Sequence, residues 1–190
     1  MTLQKVNTRN AVLVLMIIAA GAFRLVSYKY PYVLSNFTPV GAMALFGGAY
    51  FTDKWKAYLV PLLTLFVSDV LLNHLYTSKW ELWDNSSIMV YICFAIIVFV
   101  GSLIKKVNFV NVFLASLVAV VLHWLLTDIP FVGTLYPHTF SGYMQSLVAA
   151  IPFEKNMLFG DIVFCAILFG GFEFAKSKYT TLRTSQKFAV

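Results

Sequence analysis

The chain has 190 residues, of which 60% are hydrophobic and only 12% are charged, and its mean hydropathy is +0.80. A soluble domain carries roughly 25% charged residues, so this composition cannot cover a soluble surface. The net charge of +6 does not indicate nucleic-acid binding either, because the Lys and Arg residues stand in short clusters between apolar runs.

Six apolar stretches follow one another and predict an all-α integral membrane protein, a compact bundle of six transmembrane helices in a single domain covering residues 1–190. A helix crosses the hydrocarbon core with about 20 mostly apolar residues. The predicted spans are 11–28, 39–52, 56–76, 87–104, 109–127 and 156–175. The second is the weakest, because about 14 residues reach only roughly 21 Å. It must thin the bilayer, be sheltered by its neighbours or re-enter without crossing.

The distribution of basic residues favours all six crossings. With the amino terminus in the cytoplasm, ten Lys and Arg residues lie on inner segments and three in outer loops, while Arg24 lies within the first span. This is the positive-inside pattern. Leaving out the second span would move Lys105 and Lys106 to the outer side. We therefore expect a multi-pass protein with both termini in the cytoplasm.

The amino terminus allows an alternative. Lys5 and Arg9 precede an apolar stretch that ends in Ala20-Gly21-Ala22, as in a cleaved signal peptide. Hydrophobicity continues as far as Val26, which favours a retained helix. The other five spans keep their orientation in either case.

The connection between the fifth and sixth spans contains a short apolar piece at 140–151, followed by Pro152. About 12 residues are too few to span a membrane. We therefore expect a short extra helix that lies on the outer face, or dips into it, and caps the bundle.

Polar residues within the spans share one depth. Ionisable side chains in a membrane cost about 2.5–3.5 kcal/mol each and need a partner or a water-filled cavity. Under the predicted topology they all lie in the outer half, and they favour an outward-facing pocket for a small solute. The predicted substrate-binding residues are Arg24, Asn36, Asp69, Asn73, His123 and Asp161. The plainer interpretation is that Arg24 neutralises one aspartate and the other groups cap helix ends.

Two further interpretations stay open. His74 and His123 are candidates for axial haem ligands that face each other across two helices. Asp69 and Asp161 are candidates for an intramembrane protease dyad that shares a proton, although Leu158-Phe159-Gly160-Asp161 lacks the first glycine of the Gly-x-Gly-Asp motif. The sequence favours a protein that is not an enzyme, and it predicts no cofactor and no metal site.

Small residues crowd the second span. Gly41, Ala44, Gly47 and Gly48 lie close together, and Ala44 and Gly48 form a small-xxx-small pair. Small side chains let helices approach closely in a membrane. Internal packing is the expected use, and a docking face for a partner subunit is the alternative.

The run from Asn36-Phe37-Thr38-Pro39 to Tyr50, with Val60-Pro61 before Ser68-Asp69 and Ile151-Pro152 before Gly160-Asp161, resembles a bacterial family of uncharacterised membrane transport proteins. The resemblance implies the bacterial inner (cytoplasmic) membrane. Size, six spans and inside termini are also similar to the S components of energy-coupling-factor vitamin transporters. That looser likeness implies a binder of a small, vitamin-like nutrient that docks on an ATPase-driven coupling module.

Together these observations predict a transport protein whose partners are the lipid bilayer and a small-molecule solute. A membrane enzyme or haem-bearing electron carrier and an accessory subunit without a ligand are the alternatives. The chain has no phosphate-binding loop, so any coupling to ATP has to come from a partner.

Overall fold

The computed structural model describes residues 7–83, 87–130 and 135–183, and these residues form helices and no strand. A π-helical segment (Ala166–Gly170) joins the last two α-helices, and a 3-10 turn (Thr180–Leu182) follows them. The predicted all-α class is therefore confirmed. The α-helices are α1 (Thr8–Ala22), α2 (Arg24–Lys29), α3 (Pro31–Leu34), α4 (Val40–Tyr50), α5 (Lys54–Thr77), α6 (Ser87–Ser102), α7 (Phe109–Thr127), α8 (Phe140–Cys165) and α9 (Gly171–Lys178).

In the described part of the chain, four helices are long and apolar enough to cross a membrane. They are α5, α7, the helix Thr8–Lys29 that α1 and α2 form together, and the helix Phe140–Lys178 that runs from α8 through α9. The apolar helices α4 and α6 have 11 and 16 residues. They reach about 16 Å and about 24 Å, whereas the hydrocarbon core is about 30 Å thick.

The short helix α4 lies at the centre of the bundle. It packs against α1, α5, α6, α7 and α8, and ten of its residues are buried. Its side chains are apolar or small on every face, as expected of a helix with no exposed side. A helix that its neighbours surround in this way does not have to match the thickness of a bilayer.

Glycines set the distance between α4 and α6. A Cβ atom on Gly48 would lie 2.0 Å from the carbonyl oxygen of Val98, and one on Gly101 would lie 2.3 Å from that of Leu45. Real Cβ atoms do not approach so closely. The two backbones therefore touch directly, one glycine on each helix, as in small-residue packing of membrane helices.

The other small residues of α4 face different neighbours. A Cβ atom on Gly47 would lie 2.5 Å from the ring of Pro61 in α5. Ala44 is 1% exposed. The described structure thus places Ala44 and Gly47 inside the bundle, where they are not available as a docking face.

The expected separate helix at 140–151 requires a correction. The structure continues it through Pro152 into the predicted sixth span as the single helix α8. Proline lacks an N–H and its ring crowds the carbonyl four residues earlier, which usually ends or kinks a helix. Here Pro152 and Val148 both lie on the exposed face. The lost hydrogen bond is thus away from the helix interfaces, and proline is tolerated in membrane helices.

Hydrogen bonds identify the two ends of the bundle. At one end, the guanidinium of Arg9 at the start of α1 donates to the backbone oxygen of Tyr50 at the end of α4. The Tyr50 hydroxyl donates to Glu173 of α9 at 2.5 Å. At the opposite end, Arg24 reaches the second half of α5. We call these the Arg9 end and the Arg24 end.

Candidate functional site

Arg24 and Asp69 form an ion pair at the Arg24 end. The Nη1 atom of Arg24 lies 2.6 Å from Asp69 Oδ1, and it also donates to Ser68 Oγ at 2.5 Å. The Tyr91 hydroxyl of α6 donates to the other carboxylate oxygen at 2.8 Å. The side chains are 14% and 27% exposed, so the pair is accessible from one side. Three helices, α2, α5 and α6, therefore meet at Asp69.

Aromatic side chains from the connection between α5 and α6 lie beside this pair. The Trp83 ring stacks on Tyr91 with centroids 5.2 Å apart, and the Trp80 ring stacks on His74 at 4.0 Å. The Asn73 amide donates to the backbone oxygen of Glu81 at 3.3 Å. The connection 78–83 thus lies over the end of α5, next to Asp69.

His123 pairs with a buried carboxylate that the sequence analysis did not include. The Nδ1 atom of His123 lies 3.0 Å from Glu154 Oε1 of α8. Glu154 is 6% exposed. Asp128, directly after α7, lies near both groups. Burial, reinforced by the charge of Glu154 and opposed by that of His123, raises the pKa of the Asp128 carboxyl to about 6.

Asp161 is fully buried at the N-terminus of α4. Its Oδ1 atom accepts the backbone N–H of Ala42 at 3.0 Å. A Cβ atom on Gly41 would lie 2.3 Å from Oδ2, so glycine at this position makes room for the carboxylate. The first N–H groups of a helix have no partner within it. Asp161 therefore acts as a cap that α8 supplies to α4.

The segment before α4 also docks on α8. The Asn156 amide donates to the backbone oxygen of Ser35 at 2.9 Å. A Cβ atom on Gly160 would lie 2.9 Å from the backbone nitrogen of Thr38. Asn36, with a φ of 56°, is exposed within this segment. The Asn-Phe-Thr-Pro run thus positions the start of α4 against α8.

The six predicted residues therefore fall into separate groups. Arg24 and Asp69 contact each other, and Asn73 lies one turn further along α5. His123 and Asp161 each have other partners, and Asn36 is on the surface. The rings of Phe23, Phe37 and Phe164 pack together beside these groups and join α1, the segment before α4 and α8.

The two alternative chemistries are not assembled in the described residues. Asp69 is bound to Arg24 and Tyr91, while Asp161 lies at α4, so no shared-proton dyad forms. His74 stacks on Trp80 and His123 pairs with Glu154, so the two imidazoles do not face each other. Within the described ranges, no group of three His, Cys, Asp or Glu side chains is placed to hold a metal ion.

Two cavities lie at helix interfaces elsewhere. One, of about 370 Å³, is lined by α7 and the region of the π-helical segment, including Ser116, Cys165 and Phe169. The other, of about 320 Å³, lies between α1 and α5 and is lined in part by Ser68. Neither is lined by any of the six predicted residues.

Several buried polar atoms of the described residues have no hydrogen-bond partner. Those at the Arg24 end are Arg24 Nε, His74 Nδ1, Glu154 Oε2 and Asp161 Oδ2. Buried polar groups are nearly always paired, and unpaired ones cost about 1–3 kcal/mol each. Arg9 Nε and Asn10 Oδ1 at the Arg9 end, and Ser116 Oγ of α7, are unpartnered as well.

Sequence analysis missed Glu154, Ser68 and Tyr91. Glu154 lies between the expected helix at 140–151 and the expected span at 156–175, because Pro152 usually ends a helix. Had the helix been continued through Pro152, the spacing of seven residues between Glu154 and Asp161 would have placed both carboxylates on one face. Ser68 and Tyr91 are ordinary in a membrane helix, and only their contacts with Arg24 and Asp69 distinguish them.

Comparison with known proteins places the chain in one family. Residues 4–183 match the model of DUF6580, a family of unknown function, and the chain belongs to that family. The match includes all of the polar groups described above. No curated protein and no solved structure matches the chain.

Proposed function

We propose that this member of the DUF6580 family is a membrane transport protein that binds a small solute at the Arg24–Asp69 pair. The observation that carries the proposal is a charged pair held between helices, partly exposed and flanked by stacked aromatic rings. Ionisable groups at membrane depth commonly mark solute or ion pathways. Asn73, on the same helix as Asp69, contributes an amide to the proposed site. The Nε atom of Arg24 contributes a hydrogen-bond donor that has no partner.

The proposal includes six crossings, with both termini in the cytoplasm of a bacterium. The positive-inside distribution and the sheltered position of α4 support it. In this orientation the Arg24 end faces outwards, and the solute enters from the outside.

The likeness to S components extends the proposal to a partner. If the chain works as an S component does, an ATPase-driven module supplies the energy and the solute is a vitamin-like nutrient. The site suits a solute that carries both hydrogen-bond donors and acceptors beside a ring or other flat apolar surface. Arg24 donates, Asp69 accepts, and Trp80 and Trp83 offer aromatic faces.

Native mass spectrometry of the protein released gently from its own membrane tests the proposal. We expect a bound small molecule on the wild-type protein and its loss in Asp69→Asn. The matched control is Asp53→Asn, which makes the same change before the start of α5 at the Arg9 end, where the carboxylate pairs only at the surface with Lys56. This control should retain the molecule.

Thermal unfolding of each variant shows whether the fold persists. The proposal is wrong if the wild-type protein carries no small molecule, or if a folded Asp69→Asn variant carries it as fully as the control does. Arg24→Lys, which keeps the charge but loses the planar guanidinium, should weaken binding without abolishing the fold.

A further inference from the structure

A carboxylate and an imidazole are paired between α7 and α8, separately from the proposed solute site. Glu154 Oε1 contacts His123 Nδ1 at 3.0 Å, and Thr127 Oγ1 lies 3.5 Å from the same nitrogen. Glu154 is more than nine-tenths buried, and its Oε2 atom has no partner among the described residues. Glu154 Oε1 thus has a hydrogen-bond partner, whereas Oε2 has none and can take up a proton.

Besides His123, the titratable groups of the described residues that interact electrostatically with Glu154 are acids. Cys93 of α6, Asp128 after α7 and Asp161 of α8 are near enough to Glu154 to interact with it electrostatically. The start of α4, which packs on α8, presents Gly41 and Ala42, which do not titrate. The described residues show no ion pair between Glu154 and a Lys or Arg.

We infer that Glu154 and His123 form a proton-binding site between α7 and α8, with Asp128 at its mouth. The inference goes beyond the proposed solute site and does not depend on it. Helical membrane proteins that move protons use chains of Asp, Glu and His side chains in their interior.

The chemistry needs only a proton from water. When Glu154 is ionised and His123 is neutral, the Nδ1–H group of His123 donates a hydrogen bond to Oε1 and the pair carries one negative charge. One further proton, on the unpartnered Glu154 Oε2, makes the pair neutral overall. The removal of a net charge from a site of low polarity is favourable. The proton returns to water through the Asp128 end when the outer solution becomes more alkaline.

Two spectroscopic measurements on the full-length protein in lipid nanodiscs test the site. Infrared difference spectra between about pH 5 and about pH 8, the range in which imidazole changes charge, should show a protonated carboxyl band that is weaker in Glu154→Gln than in the wild type. Asp128, whose pKa is about 6, supplies the part of the band that remains. The matched control is Glu81→Gln, which changes an exposed glutamate of the 78–83 connection. This variant should retain the band.

The second measurement needs no change at the site. In ¹⁵N-histidine-labelled protein the ring signal of His123, identified by elimination with His74→Gln and His138→Gln, should shift over the same pH range. The inference is overturned if the carboxyl band is as strong in Glu154→Gln as in Glu81→Gln, or if the His123 signal does not move. A loss of solute binding would affect neither result, so the two proposals fail independently.

Discussion

Asp128 follows the last residue of α7, where it is partly buried beside Glu154 and His123. In the folded protein its pKa is raised from the ordinary value of 3.8 to about 6. Between these values the folded state binds more protons than the unfolded state does. Because proton binding and folding are thermodynamically linked, the free energy of unfolding must fall as the pH rises through this window.

We expect this fall to amount to about 1 kcal/mol after allowance for solvent screening of a partly exposed group. Asp128→Asn, which keeps a neutral side chain at every pH, should flatten the decrease and be the more stable protein at neutral pH. Asp53→Asn should leave the slope unchanged. Unfolding in detergent, followed in steps from about pH 4 to about pH 7, measures it. An unaltered slope in Asp128→Asn would assign the decrease to other groups.

Individual polar residues could be selected from the sequence, but their partners could not. Arg24 and Asp69 were recognised because charges inside apolar stretches are costly, and the plainer interpretation, that Arg24 neutralises an aspartate, agrees with their contact. Asp161 was recognised for the same reason, yet its role as a cap for α4 depends on a contact between residues 119 positions apart. Such pairings follow from the helix arrangement, which local sequence does not specify.

At the scale of helices, the contact between α4 and α6 depends on two glycines. Gly48→Ala would place a methyl group 2.0 Å from the backbone oxygen of Val98, and neither backbone can yield without moving its helix. We expect this change to destabilise the protein by about 1–3 kcal/mol, as overpacking does. Unfolding by titration with a denaturing detergent measures the loss.

The control for this prediction is Gly170→Ala. An added Cβ atom there meets nothing within 4 Å. This variant should be as stable as the wild type or slightly more so, because alanine favours a helix over glycine by about 1 kcal/mol. Equal stability of Gly48→Ala and Gly170→Ala would show that α4 and α6 do not require their close approach.

Helix boundaries were predictable where capping side chains agree with the hydrophobic pattern. The fifth span was expected at 109–127, and α7 covers Phe109–Thr127, with the Asn108 side chain accepting the N–H of Asn111 at its start. The helix end predicted at Pro152 was wrong. Proline usually ends a helix, but α8 continues through Pro152 because the proline lies on an exposed face of the helix. The π-helical segment Ala166–Gly170 could not be predicted, because its apolar sequence does not distinguish it from an α-helix.

At the scale of the whole molecule, the proposed topology depends on α4, because a helix of about 16 Å cannot span a bilayer unless other helices surround it. Its ten buried residues and its contacts with five helices meet that condition. The sequence suggested the crossing only through the charge distribution. The buried position of α4 among five helices supports the proposed crossing on physical grounds.

Accessibility of single cysteines in intact bacterial cells tests this topology. In a background carrying Cys93→Ala and Cys165→Ala, a membrane-impermeant maleimide should label Lys79→Cys, between α5 and α6. It should label Asp53→Cys and Lys106→Cys only after the membrane is permeabilised. Each of the three positions is exposed, so labelling reports the side of the membrane.

The pattern distinguishes the possible errors. If α4 re-enters without crossing, every later segment changes side, so Asp53→Cys and Lys106→Cys are labelled in intact cells and Lys79→Cys is protected. If α6, at about 24 Å, fails to cross, then Lys79→Cys and Lys106→Cys behave alike. The proposed orientation survives only the first pattern, in which Lys79 alone of the three positions lies outside. The same result would place the Arg24–Asp69 pair and the mouth of the Glu154–His123 site at the outer surface.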